Sequence, residues 1–195
     1  MLDRWGPWLA NLLTAARVAL TPVFVLAVWS AERSLLVGVS AVVLFALIAA
    51  SDVLDGRVAR RWRTDSAGGR VFDHFADIGF LVIALGSYVA INLVPWWVPA
   101  VVAGGFTFYV VDSWLRSTLA PSLIGSRLGH IGGVCNYVLV GVLVCNNSAR
   151  IHLLSPGFLH VLFCLVPLYS GAAVLARLLA RRETGTASRL ASSRP

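Results

Sequence analysis

Apolar residues run along this chain in long continuous blocks separated by short polar segments, without the alternation typical of a soluble domain. Each block is close to the ~20 residues that a helix needs to cross about 30 Å of hydrocarbon. The pattern therefore predicts an all-α, polytopic membrane protein with about six transmembrane helices. The predicted spans lie near residues 10–30, 35–54, 74–94, 96–115, 131–147 and 157–180.

Composition agrees with this fold class, since 58% of the 195 residues are hydrophobic and only 13% are charged. The sixteen basic residues, all Arg, outnumber nine acids and give a net charge of +7. Most of these arginines lie in short segments beside apolar blocks, where they face anionic headgroups, so we expect membrane lipids and no nucleic acid as partners. Cys135, Cys145 and Cys164 lack a CxxC spacing and are predicted to be buried apolar side chains.

The distribution of arginines predicts the orientation in the membrane. They concentrate in segment 56–72, which is predicted to be a loop, and in the C-terminal tail, whereas the segments on the opposite side hold only Arg33 and Arg150. The positive-inside rule then places both termini in the cytoplasm. A cleaved signal peptide in place of the first span would leave five helices, with the two Arg-rich segments on opposite sides. We therefore expect an integral membrane protein whose segment 56–72 faces the cytoplasm.

The same pattern suggests how the chain is divided. Residues 1–182 contain all the apolar blocks and are predicted to form one membrane domain. Residues 183–195 are rich in turn-forming residues, have no periodic apolar face and are expected to be a disordered cytoplasmic tail.

Four aspartates occupy helical spacings at the facing ends of the second and third spans. Asp52 and Asp55 are three residues apart, and Asp73 and Asp77 are four apart, so each pair shares one helical face. If the two spans pack side by side, the four carboxylates converge and repel one another unless a cation neutralises them. Oxygen ligands suit Mg²⁺, Mn²⁺ or Ca²⁺. The plainer alternative is a set of solvated acids at helix ends, with Asp73 favoured near a helix N-terminus.

Small residues and a cation lie between these pairs. Gly56 leaves room for a ligand beside Asp55, Ala59 is small, and the Arg60 guanidinium is suited to bidentate contact with phosphate oxygens. Together these residues resemble the signature of the CDP-alcohol phosphatidyltransferase family at all eight of its fixed positions. The match is Asp52-x2-Asp55-Gly56-x2-Ala59-Arg60-x8-Gly69-x3-Asp73-x3-Asp77.

The resemblance implies a role for each matched residue. It implies that Asp52, Asp55 and Asp73 bind divalent cations, two Mg²⁺ or Mn²⁺ ions, and that Asp77 is the general base and contacts the second ion. Asp77 would take the proton of an acceptor alcohol that attacks a CDP-diacylglycerol-type donor and releases CMP. The resemblance also implies a homodimer and a CDP pocket. The residues of that pocket would be Gly56, Ala59, Arg60 and Gly69.

Other polar residues are candidates for contacts with substrate. Asn11, Thr14 and Arg17 share one face of the first span, and Arg17 is predicted to contact either Asp52 or a lipid phosphate, or to extend to the interface. Arg116 and Arg127 flank the segment before the fifth span and are predicted either to bind an acceptor phosphate or to anchor the helices.

The acceptor alcohol is left open by the sequence. In phosphatidylglycerophosphate synthases, the similar stretch around the last two aspartates usually reads Asp-Pro-x-Ala-Asp-Lys. This chain has no Pro or Lys in residues 73–78. Glycerol 3-phosphate, inositol or its phosphate, serine and a second lipid glycerol remain candidates, as does transfer of a CDP-amino alcohol to diacylglycerol. A different class of protein, a small divalent-cation transporter, would place the carboxylates near mid-bilayer.

Overall fold

A computed structural model describes residues 6–62, 67–116 and 127–192, with side chains described for 12–54, 72–111, 131–166 and 168–175. Within these ranges the chain forms helices and no strands. The α-helices are α1 (Gly6–Ser30), α2 (Leu35–Trp62), α3 (Ala67–Ala90), α4 (Trp97–Arg116), α5 (Arg127–Leu143) and α6 (Pro156–Ser192). A π-helical turn, Val144–Ser148, continues α5.

The described helices have the length and surface of membrane spans. Five of them are long and apolar enough to cross a bilayer, and α4 contributes a shorter apolar stretch, Trp97–Val111. Large apolar side chains cover the outer surface, among them Leu26, Leu36 and Leu168. Since a soluble protein would bury such residues, the prediction of an all-α polytopic membrane protein is confirmed.

Three helices extend beyond their apolar blocks. The second continues to Trp62 and the third begins at Ala67, so most of segment 56–72, predicted as a loop, is helical. That prediction was wrong because hydropathy marks where a helix leaves the hydrocarbon, and Ala and Arg favour continued helix in the polar region. Helix α6 likewise runs to Ser192, beyond the predicted boundary at residue 182. The division of the chain at that residue stays a prediction.

The helices pack around an apolar core. Helix α1 packs against α2 and α3, α4 packs against α3 and α6, and α5 packs against α6 and α3. Phe24 of α1 and Phe80 of α3 meet edge to face, with ring centroids 5.5 Å apart. Tyr88 and Leu139 are also buried in this core. The core holds α1, α2 and α3 in the arrangement that positions the aspartates.

Helix α2 and the π-helical turn make the closest helix contact at the other end of the bundle. A Cβ added at Gly38 would overlap the backbone carbonyl of Ser148. In the same turn the Asn146 side chain accepts hydrogen bonds from the N–H groups of Leu153 and Leu154, at 2.7 and 3.2 Å. Gly38 and Asp52 are 14 residues apart on α2, which is about 21 Å along a helix. This junction is therefore remote from the aspartates.

Candidate active site

A buried arginine on α1 lies at the centre of the polar cluster. The side chain of Arg17 is 0% exposed, and its Nη2 atom is 3.3 Å from Asp52 Oδ1. Its Nη1 atom is 3.3 Å from Asp73 Oδ1 and also contacts Asp77 Oδ1. One guanidinium therefore joins three carboxylates that come from two other helices.

Helical spacing explains why these groups meet. Asp73 and Asp77 are one turn apart on α3, and Thr14 and Arg17 are one turn apart on α1, so each pair faces the neighbouring helix. Thr14 Oγ1 donates to Asp73 Oδ1 at 3.5 Å, alongside the Arg17 contact to the same oxygen. The interface between α1 and α3 thus holds Asp73 from two positions on α1.

The charges of the cluster are unequal. Among the side chains that the structure describes, Arg17 supplies one formal positive charge against three carboxylates, which are 20–31% exposed. Since a buried guanidinium offsets only part of this charge, the cluster favours a further cation. The nearest ligand atoms of Asp73, His74 and Asp77 all lie within 4.8 Å of one another, close enough to hold a metal ion. Carboxylate oxygens match the preference of hard divalent cations.

A cavity of about 440 Å³ lies beside this cluster, between α3, α4, α5 and α6. Asp52 and Asp77 both line the cavity and contact Arg17. Asp73 contacts Arg17 but is not one of the residues that line the cavity. The rest of the wall is mostly apolar and aromatic, and the volume lies in the range of small-molecule sites. A ligand in the cavity therefore lies against Asp77.

The structure brings five of the predicted site residues together: Thr14, Arg17, Asp52, Asp73 and Asp77. Arg17 contacts Asp52, one of the contacts that the sequence analysis names for it. The remaining predicted residues lie in α1 to α5, but their side chains fall outside the described ones. They are Asn11, Asp55, Gly56, Ala59, Arg60, Gly69, Arg116 and Arg127.

Several cavity residues are not among the predicted site residues. His74 lines the cavity with its ring stacked on Tyr109 of α4, at a centroid distance of 6.3 Å. Asn136 of α5 and Tyr169 of α6 line it from the opposite helices. Asn136 carried a usable signal, because a carboxamide within an apolar span is costly and tends to be functional. The aromatic residues gave no such signal, since they are common in membrane spans.

Comparison with known proteins adds independent information. A family model described as CDP-alcohol phosphatidyltransferase matches residues 7–182. The CDP-diacylglycerol–glycerol-3-phosphate 3-phosphatidyltransferase of Yersinia enterocolitica is 33% identical over 141 residues, which cover 68% of this chain and 72% of the relative. The corresponding protein of Pectobacterium atrosepticum is 34% identical over 122 residues, 60% of this chain and 62% of the relative. A cardiolipin synthase (CMP-forming) of Streptomyces coelicolor is 34% identical over 95 residues, 47% and 43% of the two chains.

Proposed function

Because this chain belongs to the CDP-alcohol phosphatidyltransferase family and is an enzyme of that class, we propose that it transfers a phosphatidyl group from CDP-diacylglycerol to a glycerol-bearing acceptor. The observation that carries the proposal is the convergence of Asp52, Asp73 and Asp77 on Arg17 at the wall of a cavity. Phosphatidyl transfer in phospholipid synthesis is the activity common to the family and the named relatives.

Asp77 is the general base of the proposed reaction. Its carboxylate lines the cavity, so it is placed to accept a proton from an alcohol bound there. The acceptor oxygen forms a bond to the phosphorus that carries the diacylglycerol, and the bond from that phosphorus to the CMP phosphate oxygen breaks. The hydroxyl proton goes to Asp77, and CMP leaves with the electron pair. Arg17 contacts Asp77 and restricts its orientation.

Asp52, Asp55, Asp73 and Asp77 are the proposed ligands of two divalent cations, Mg²⁺ or Mn²⁺. The fit rests on the excess of carboxylates over the single guanidinium and on the closeness of the Asp73 and Asp77 oxygens. Bound by these residues, such ions would neutralise the charge of the pyrophosphate and stabilise its leaving group. Arg17 keeps three of these carboxylates close together, so that they need little reorganisation on binding a cation.

The donor nucleotide is assigned to the segment around the α2–α3 junction. Gly56, Ala59, Arg60 and Gly69 match the family signature and are the proposed CDP contacts. The many arginines near this junction support a cytoplasmic active site in a bacterial inner membrane. The nucleotide would then arrive from the cytosol while the acyl chains stay in the bilayer. A homodimer is part of the proposal by family membership.

A glycerol-bearing acceptor is favoured by two kinds of relative. The Yersinia protein is named for glycerol 3-phosphate, and the Streptomyces protein is named as a cardiolipin synthase. This chain lacks Pro and Lys in residues 73–78, where phosphatidylglycerophosphate synthases commonly have them. We therefore propose two acceptors for comparison, glycerol 3-phosphate and the glycerol headgroup of phosphatidylglycerol.

The test is CMP release by the purified full-length protein from CDP-diacylglycerol with each acceptor, with inositol, inositol phosphate and serine as comparisons. We expect release with one glycerol acceptor, its loss in EDTA and its recovery with Mg²⁺ or Mn²⁺. Asp77→Asn should lower kcat by at least about 100-fold, since general-base catalysis contributes on the order of 10²–10⁴-fold. Donor binding should change little.

One control variant and two contradicting outcomes make the result decisive. Ser87→Ala alters a buried side chain of α3 whose hydroxyl donates to the Ala84 carbonyl at 2.7 Å, and it should retain wild-type turnover. Undiminished turnover by Asp77→Asn would contradict the assigned base. Absence of CMP release with all acceptors would contradict the proposed reaction itself.

A further inference from the structure

A single carboxamide lies inside the apolar part of α5 and faces the cavity. Asn136 is only 5% exposed and lines the cavity together with Asp77. Its Oδ1 atom is buried and has no hydrogen-bond partner among the described residues. Buried polar atoms in native proteins are nearly always hydrogen-bonded, so an unpaired acceptor at a cavity wall points to a hydrogen-bond donor supplied by a ligand.

The surroundings of Asn136 shape a defined pocket. Gly132 is one turn earlier on α5, on the same face, and a Cβ there would come within 3.1 Å of Tyr169 Cε1. Glycine at this position therefore allows the Tyr169 ring of α6 to lie directly against α5. Tyr169 and Asn136 both line the cavity, as do Asp77 and His74 of α3. The amide is thus held on a packed wall and does not lie on a mobile surface.

Two polar residues on the cavity wall complement different groups of one ligand. Asp77 is a proton acceptor for the hydroxyl that reacts, and Asn136 Oδ1 accepts a hydrogen bond from a hydroxyl that does not react. The wall also contains apolar side chains such as Ile78, Leu81 and Phe106, which suit the C–H groups of a short carbon chain. An alcohol with one hydroxyl would leave the Asn136 oxygen without a ligand donor, whereas a diol would satisfy both groups.

We propose that Asn136 is an acceptor-binding residue that selects polyols, accepting a hydrogen bond from the middle hydroxyl of glycerol while the terminal hydroxyl faces Asp77. This inference rests on the proposed phosphatidyl transfer and adds the residue that recognises the acceptor. The same contact serves free glycerol 3-phosphate and the glycerol headgroup of a lipid, because both carry the diol.

The experiment compares acceptors that differ only in the middle hydroxyl. The soluble pair is glycerol 3-phosphate and 3-hydroxypropyl phosphate, and the lipid pair is phosphatidylglycerol and phosphatidyl-1,3-propanediol. The full-length protein should use the diol of the active pair about tenfold better in kcat/KM, as expected for one hydrogen bond. Whichever pair is active identifies the source of the diol.

Variants of Asn136 then test whether this residue is responsible. Asn136→Leu removes the amide at similar size and should raise the KM for the diol about tenfold, with the KM for CDP-diacylglycerol unchanged, which removes the preference. Asn136→Asp keeps an accepting oxygen and should retain the preference. Ser87→Ala, a buried polar variant outside the cavity, should leave both KM values as in the wild type.

The outcomes distinguish a failure of the role proposed for Asn136 from a failure of the proposed function. An active wild-type enzyme that does not distinguish diol from deoxy acceptor overturns the role of Asn136, because the amide would then bind only water; this comparison needs no variant to fold. A preference that persists in a folded Asn136→Leu protein overturns it as well. A wild-type protein that releases no CMP with any acceptor overturns the proposed function and the inference together.

Discussion

Arg17 has the most consequential contacts of any residue described. It is completely buried, yet its partners Asp52, Asp73 and Asp77 are each 20–31% exposed. Removing the guanidinium would leave three carboxylates that repel one another but still reach solvent. The expected cost is about 2 kcal/mol, below the 3–5 kcal/mol typical when one partner of a fully buried pair is lost.

We predict that Arg17→Met lowers the thermal unfolding midpoint in detergent by roughly 5 °C, the shift expected of such a cost in a chain of this size. Millimolar Mg²⁺ should recover part of the loss, because the unpaired carboxylates then bind a cation more strongly. The Mg²⁺-dependent increase should be larger in the variant than in the wild type. Thermal unfolding monitored by tryptophan fluorescence measures all of these midpoints.

Arg33→Met is the matched control. Arg33 is exposed, lies between α1 and α2, and is remote from the aspartates, so its loss should leave the midpoint and the Mg²⁺ response unchanged. Equal melting of the two variants, with the same Mg²⁺ response, would contradict a central role for Arg17 in the carboxylate cluster.

At the scale of elements, the contact between α2 and the π-helical turn sets how closely two spans approach. Only a glycine fits at position 38, because a side-chain carbon would overlap the Ser148 carbonyl. The carbonyl belongs to the backbone and cannot move aside as a flexible side chain would. The junction lies about 21 Å along α2 from Asp52. A substitution at this position should therefore change the stability of the protein without changing its activity.

We predict that Gly38→Ala destabilises the protein by about 2 kcal/mol, within the usual range for overpacking. The folded fraction should retain wild-type kcat. Gly86→Ala on α3 is the control, since a Cβ there meets nothing within 4 Å and alanine favours helix by up to about 1 kcal/mol. Thermal midpoints and CMP release of the two variants provide the comparison. A Gly38→Ala protein as stable as the wild type would show that the helices separate without cost.

The whole molecule combines a lipid-facing apolar surface with a polar cluster set back from one end of the bundle. Asp52 lies ten residues before the end of α2, which is about 15 Å along a helix. The helices thus continue well past the aspartates into the Arg-rich segment. A donor with acyl chains in the bilayer and a nucleotide in water would approach such a cluster from both phases.

Orientation in the membrane is testable by cysteine labelling. In a protein with Cys135, Cys145 and Cys164 replaced by Ala, we expect an impermeant maleimide to label Glu32→Cys in bacterial spheroplasts. It should label Thr64→Cys only after the membrane is permeabilised. The reason is that arginines accumulate between α2 and α3 and are sparse between α1 and α2. The opposite labelling pattern would place the aspartates on the outer face and contradict the cytoplasmic active site.

The amino-acid sequence by itself determined the fold class and predicted which aspartates share a helical face. Continuous apolar blocks are sufficient for this because a bilayer requires each span to satisfy its own backbone hydrogen bonds, which leaves helices as the outcome. Helical spacing of three and four residues also predicts that Asp52 with Asp55, and Asp73 with Asp77, share faces. Both are local properties that can be read without knowing which helices touch.

Only the tertiary structure decided which side chains meet across helices. Helix rotation and the choice of neighbouring helices decide these contacts. Examples are the three carboxylates joined by Arg17, the stacking of His74 on Tyr109, and the cavity shared by Asn136 and Asp77. Hydropathy does not encode these, because lipid-facing and core-facing apolar residues look alike in sequence. It also misplaced the ends of α2 and α3, since a helix continues past the hydrocarbon wherever its backbone hydrogen bonds persist.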